Sequence, residues 1–274
     1  MLTATPFLSG AVNVPLVTFD GAAGTTFKFE VLNDPVMGGR SHAKWDLSGD
    51  VGVLDGEVVD VPSLKAPGFV TAVANGKFAD ASSAASGGLT LHVRSTTASY
   101  MGFRVSLYSG AGSGEYACAG GGGIPFSRGC FKAKYTVPVG SDFTPVFVPF
   151  ANFTDLWSSA TGEPTSTCAE DKSACLSASK LHSIKRVELW AEGVDGKVHL
   201  EVKSVSATAT TATVVEAPSE AEGAAGVGLV KACRGQTEPM RLPSTYSPAA
   251  LPPAALPPAA LPPADNTTPD PFHA

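Results

Sequence analysis

Apolar and polar residues alternate with period two along most of the first three quarters of the chain. Leu16–Phe19, Phe27–Leu32, Gly88–Arg94, Gly102–Leu107, Lys132–Val137, Val146–Phe150, Val187–Glu192 and Lys197–Val205 each gather their large apolar side chains on one face. That period predicts strands with one buried and one exposed side. Asp20-Gly21, Gly49-Asp50, Asp55-Gly56, Asn75-Gly76, Ser109-Gly110 and Asp195-Gly196 supply turn chemistry between these runs. Only Ser177–His182 hints at a helix, and it is short. No strand-helix-strand alternation is present to build a parallel nucleotide-binding sheet, so the pattern predicts an all-β, antiparallel sandwich or barrel.

The pattern stops near residue 207. Residues 208–274 hold 3 Lys/Arg, 6 Asp/Glu and 12 of the 22 Pro. They include the run Thr208–Thr213 and a tandem Leu-Pro-Pro-Ala-Ala block from Leu251. Such repeats bury too little apolar area to offset chain entropy and favour extended polyproline II. The chain therefore divides into an N-terminal extension at 1–14, one β domain at 15–207 and a disordered, low-complexity Ala/Pro-rich tail at 208–274 that acts as a spacer. Charge narrows the partners. With 19 Lys+Arg against 25 Asp+Glu and no run of like charges, no nucleic-acid footprint is present. No apolar run reaches the 18 or so residues of a membrane helix, so no transmembrane segment is expected, and membrane association would be peripheral.

The five cysteines carry a framework. Cys168 and Cys175 flank six residues of a polar loop, and Cys118 and Cys130 bracket the run Ala119–Ile124 with its four glycines. Each pair can close a local loop, leaving Cys233 free, so two disulfides are expected. The glycine run lacks a following Lys-Ser/Thr and reads as a flexible hairpin tip rather than a phosphate cradle. Cysteine and histidine spacings fit no metal set, and neither metal nor cofactor is expected. Disulfides imply an oxidising compartment, which the sequon Asn152-Phe153-Thr154 would suit. Met1–Phe7 has no basic leader region, so the targeting segment is not legible and organelle and oxidising lumen both stay open.

Candidate chemistry is thin. No nucleophile stands on a strand-to-helix turn, and no catalytic residue is assigned. Glu188, Trp190 and Glu192 share one strand face, where the carboxylates are expected to be solvated. Trp157, Trp190, Tyr100 and Tyr108 are the aromatics able to stack on a ligand. The most specific stretch is Asn33-Asp34-Pro35-Val36-Met37-Gly38-Gly39-Arg40-Ser41. Pro35 fixes one φ, Asn33 and Asp34 can accept backbone N–H bonds, and Gly38 and Gly39 permit positive φ or close backbone approach. It is either a rigid corner with Met37 plugging the core or an ordered rim presenting Asn33, Asp34 and Arg40 to a ligand.

At this motif the sequence resembles the NADH:ubiquinone oxidoreductase (complex I) intermediate-associated protein 30 family, in its algal and protist branch. Gly56–Phe69, the Arg94–Arg104 region, Phe150–Trp157 and Leu189–Val205 resemble the same family. The resemblance implies a galactose-binding-domain-like jelly-roll sandwich that binds rather than catalyses. The leading expectation is an assembly factor or scaffold for a respiratory or photosynthetic membrane complex, gripping protein intermediates. The alternative is a carbohydrate-binding module reading glycans through exposed aromatics. Asn33, Asp34, Met37, Gly38, Gly39, Arg40, Ser41, Trp157, Trp190 and Glu192 are the candidate binding residues.

Overall fold

The computed structural model describes residues 11–34, 39–63, 65–97 and 100–210. Met37, Gly38, Cys233 and the tandem-repeat tail lie outside the described residues. Thirteen strands and two short helices are built from the rest. One sheet contains β1 (Ala11–Thr18), β3 (His42–Ser48), β4 (Val51–Val58), β8 (Gly88–Arg94), β11 (Thr144–Pro149) and β13 (Gly196–Thr210). Its order is β11-β8-β13-β4-β3, with β1 also paired to β13. The other contains β2 (Phe29–Asn33), β7 (Phe69–Asn75), β9 (Phe103–Tyr108), β10 (Cys130–Lys134) and β12 (Arg186–Glu192), in the order β10-β9-β12-β7-β2. A two-residue pair, β5 (Asp60–Val61) with β6 (Ala66–Pro67), stands apart, and every ladder is antiparallel.

The core is the space between the sheets. Leu54, Leu89, Leu91, Val93, Leu200 and Val202 from the first sheet meet Phe103, Val105, Leu107, Val187 and Leu189 from the second, all essentially inaccessible to water. At about 25 cal/mol per Å², this burial is the main stabilising contribution. β13 reaches 15 residues because its first half pairs β4 and its second half pairs β1, with a bulge between Val202 and Ser204 on the β8 side.

Several expectations change. All eight alternating runs contain strands, but β3 to β7 went unread: β4 is cut if Asp55-Gly56 is taken as a turn, β7 is a near-continuous run of small apolar residues after Phe69, and β5 and β6 are only two residues long. Asp55-Gly56 is no turn: both residues lie inside β4, where Gly56 opposes Ala43. A Cβ there would collide with the backbone of His42 and Ala43, so the glycine serves close strand approach. The β domain starts before residue 15, since β1 begins at Ala11, and passes residue 207, since β13 takes the Ala/Thr run as far as Thr210. The glycine run is no hairpin tip. It ends helix α1 (Gly114–Gly120), with Gly121 in the left-handed region as its C-cap. Helix α2 (Ala178–Leu181) falls within the predicted stretch.

The largest departure concerns faces. Arg104 and Ser106 on β9, Lys132 on β10 and Glu188 and Glu192 on β12 occupy the polar, outward positions, yet all are buried. A second layer covers them: α1 with the segment to Cys130, and the long loop from Thr154 to Leu176. Both disulfides lie in this layer. Cys118 is bonded to Cys130 and Cys168 to Cys175, with Cα separations of 5.1 and 4.7 Å, as the spacing predicted.

Candidate functional site

Register places the site. Across the outer face of the five-stranded sheet, Cys130, Tyr108, Arg186 and Asn75 form one row and Lys132, Ser106, Glu188 and Val73 the next. Lys134, Arg104, Trp190, Thr71 and Leu32 form a third, and Glu192 faces Phe69 beyond it. Strand geometry thus brings three buried cations, Arg104, Lys132 and Arg186, and two buried carboxylates together from β9, β10 and β12.

They neutralise one another. Lys132 Nζ donates to Glu192 Oε1 at 2.7 Å and lies 3.6 Å from the ring centroids of both Trp157 and Trp190. Burial pushes the Lys132 ammonium below its ordinary pKa, opposed by the Glu192 carboxylate. Arg186 Nε donates to Glu188 Oε1 at 2.6 Å, while Glu188 Oε2 accepts from Ser106 Oγ at 2.6 Å and Trp190 Nε1 at 3.0 Å. Arg104 donates to the Glu192 and Gly162 carbonyls and to Glu163. The expectation of solvated carboxylates is therefore corrected: Glu188 and Glu192 are buried because each finds a cation, Arg186 two residues away on β12 for Glu188 and Lys132 from β10 for Glu192.

Above this floor is a cleft of about 550 Å³. Leu32, Val61, Phe69, Ala119 and Ala160 give it apolar walls, and Asp34, Glu115, Arg186, Glu188 and Glu192 give it polar ones. Arg186 Nη2 and Glu192 Oε2 hold no hydrogen bond among the described residues, yet neither is sealed from solvent. A donor and an acceptor on the floor are thereby left to a ligand, beside the exposed Glu115 carboxylate on the wall.

Of the sequence candidates, Asp34, Trp157, Trp190 and Glu192 line this cleft. The two indoles are 3% and 4% exposed, and Tyr100 and Tyr108 are also buried, so these four form no exposed stacking platform. Their polar ends are already committed: Trp157 Nε1 donates to the Cys130 carbonyl at 3.0 Å and Tyr108 Oη to that of Gly112 at 2.6 Å. Asn33 and Ser41 are structural staples. Asn33 Oδ1 accepts Ala43 N–H at 2.8 Å, and Ser41 Oγ accepts Val59 N–H at 3.0 Å. Arg40 is exposed and is not among the lining residues.

Gly39 serves close approach rather than positive φ, because a Cβ on it would run into the side chain and carbonyl of Asp34, and one on Gly68 would strike Asp34 and Ser41. Asp34 is thus packed beneath Gly39 and Gly68 at the cleft edge. Gly39→Val is expected to cost about 1–3 kcal/mol by overpacking, read as a lower chemical-denaturation midpoint with unchanged slope.

Sequence reasoning missed Leu32, Phe69, Glu115, Lys132, Arg104 and Arg186. The signal available for the last three was complementary charge at outward positions of β9, β10 and β12, which becomes readable only once strand order is known. Among the described residues, one group of potential metal ligands converges within 4.8 Å, Cys118, Cys130 and Glu188, and its two sulfurs are joined as a disulfide.

Comparison with known proteins gives one sequence family and several distant structures. A family 11 carbohydrate-binding module from Clostridium thermocellum, in complex with a β-1,3-1,4-mixed-linked tetrasaccharide, is 13% identical over 71% of this chain and 94% of its own, with a TM-score of 0.42. The family 11 module of the cellulosomal cellulase Lic26A-Cel5E of the same organism is 14% identical over 72% and 96%, with a TM-score of 0.42. An agarase, AgWH50C, is 10% identical over 71% of this chain and 24% of its own, with a TM-score of 0.42. No curated protein sequence matches. The family model for complex I intermediate-associated protein 30 matches residues 17–172, running from β1 through the glycine corner, the charged floor strands β9 and β10 and Trp157. The chain belongs to the complex I intermediate-associated protein 30 family.

Proposed function

We propose that this chain is a non-catalytic assembly or scaffold domain that grips an extended polypeptide segment of its partner in the cleft over the five-stranded sheet. The observation that carries this reading is the pairing of one free donor, Arg186 Nη2, with one free acceptor, Glu192 Oε2, inside an apolar-walled cleft. An extended segment offers a backbone C=O to the first and, from a residue further along it, an N–H to the second, and Leu32, Val61 and Phe69 offer contacts to its side chains. The floor is held by ion pairs and indole packing, so little ordering is required when a ligand binds. The family's description as complex I intermediate-associated supports a protein assembly intermediate as the partner.

A photo-crosslinking phenylalanine analogue at position 32, inside the cleft, should capture a polypeptide. The same analogue at Leu47, exposed on β3 of the opposite sheet, should not. Equal capture from both positions contradicts the reading.

A further inference from the structure

Three of the exposed large apolar side chains among the described residues fall within eleven positions of one another: Tyr116, Ile124 and Phe126. Phe126 is 89% exposed. It also adopts φ of 66°, a left-handed conformation that a bulky residue rarely takes and that Asn or Gly takes more readily. Neither exposure nor backbone conformation gives the fold a reason for phenylalanine here.

The segment is nevertheless firmly built. The Cys118–Cys130 bond closes it, Ser127 N–H donates to the Ile124 carbonyl at 3.2 Å, and Ser127 Oγ donates to the same carbonyl at 2.7 Å. Behind it, Arg128 Nε donates to Asp155 Oδ2 at 2.8 Å, and Trp157 N–H donates to the Gly121 carbonyl at 2.9 Å. The result is a braced turn, Ile124-Pro125-Phe126-Ser127, that holds two apolar side chains out in water.

We propose that this turn is an uncharged anchor that inserts into the interfacial region of a lipid bilayer. Two features favour a bilayer over a protein pocket. Residues 116–127 contain no charged side chain, and the Tyr116 hydroxyl is the one side-chain polar group in that stretch left without an internal hydrogen bond. A protein interface surrounds its apolar centre with polar groups that pair across it, and this turn offers almost none. Tyrosine suits the boundary between headgroup and acyl chain, and Tyr116 is exposed ten residues before Phe126 in the chain. Arg128, the basic residue that follows the turn, is paired with Asp155, so no unpaired cation is set beside the tip to attract anionic headgroups. No helix among the described residues is long and apolar enough to cross a membrane, so the contact is peripheral. Two side chains give weak, reversible attachment, below that of a single acyl chain, and it gains strength when the cleft also engages a partner on the same surface.

The test is flotation of the full-length chain with phosphatidylcholine vesicles at millimolar lipid. Wild type should co-float, equally at low and high salt. Phe126→Asn should reduce partition roughly tenfold, the effect of withdrawing one large apolar side chain, without lowering the melting temperature, because Asn accepts the left-handed backbone. Phe126→Trp should bind as wild type and show a blue-shifted emission component when vesicles are added. No flotation with phosphatidylcholine, binding that requires anionic lipid and vanishes with salt, or undiminished binding by Phe126→Asn would each overturn the proposal. A polypeptide bound through Phe126 with no vesicle binding would overturn it too and assign the turn to a protein pocket.

Discussion

Lys132→Met is expected to lower stability by about 3–5 kcal/mol, the range for breaking a buried pair by removing one partner. Lys132 is fully buried, and its ammonium is the close cation on Glu192: Arg104 Nε stands at 3.7 Å against 2.7 Å for Lys132 Nζ. Methionine fills the space between the two indoles but leaves Glu192 with that distant partner and without its hydrogen bond. The same physics predicts recovery. Lys132→Met combined with Glu192→Leu removes both charges together, and replacing a buried ion pair with apolar groups of similar volume is often neutral or stabilising. Chemical denaturation of the two single variants and the double variant reads this directly. A coupling energy near zero would mean that the floor is not the interlocked network described.

Trp190→Ala carries the next largest effect, about 3–5 kcal/mol, the usual cost of truncating a buried Trp. The indole touches Lys132 on one side and packs near Phe69 and Trp157, with centroids at 5.4 and 6.4 Å. Its N–H also serves Ser106 and Glu188. Trp190→Phe separates these contributions, because it keeps most of the apolar area and removes the donor. Its cost is expected near 1–2 kcal/mol, from the donor withdrawn from a buried carboxylate. A Phe variant as damaged as the Ala variant would place the weight on the hydrogen bond instead of the packing.

The fold was largely legible because a two-layer sandwich writes its core in period two. Phe103, Val105 and Leu107 on β9, and Val187 and Leu189 on β12, read as inward-facing from sequence and are so in the structure. What alternation cannot convey is whether the other face meets water. Arg104, Ser106, Glu188 and Glu192 are the same residue types that a solvated strand carries, and they are buried because loops distant in sequence fold back over them. The disulfides were legible from local spacing, whereas the helix carrying Cys118 was hidden by glycines at both ends.

The site was legible in part for the same reason. The glycine motif stood out for its paired glycines, and at Gly39 that signal reports a close approach to Asp34 that no Cβ allows. Asn33 and Ser41 spend their side chains on the backbones of Ala43 and Val59, and Asp34 alone among the described motif residues reaches the cleft. The walls escaped notice because Leu32 and Phe69 look like ordinary strand residues. Their placement depends on β7 pairing with β12 and β2 pairing with β7, long-range pairings that no local pattern encodes.

The cleft is the surface proposed to grip a polypeptide. The most direct test of that role is affinity purification of the full-length chain beside a Leu32→Asp variant, with bound proteins identified by mass spectrometry and a glycan array probed with the same preparations. Leu32 is partly exposed, so the substitution should change stability by no more than about 0.5 kcal/mol. Subunits of a membrane complex retained by wild type and lost from Leu32→Asp, with a blank array, are the predicted result. Glycan binding that Leu32→Asp abolishes, with no polypeptide retained, would contradict it and give the cleft to carbohydrate.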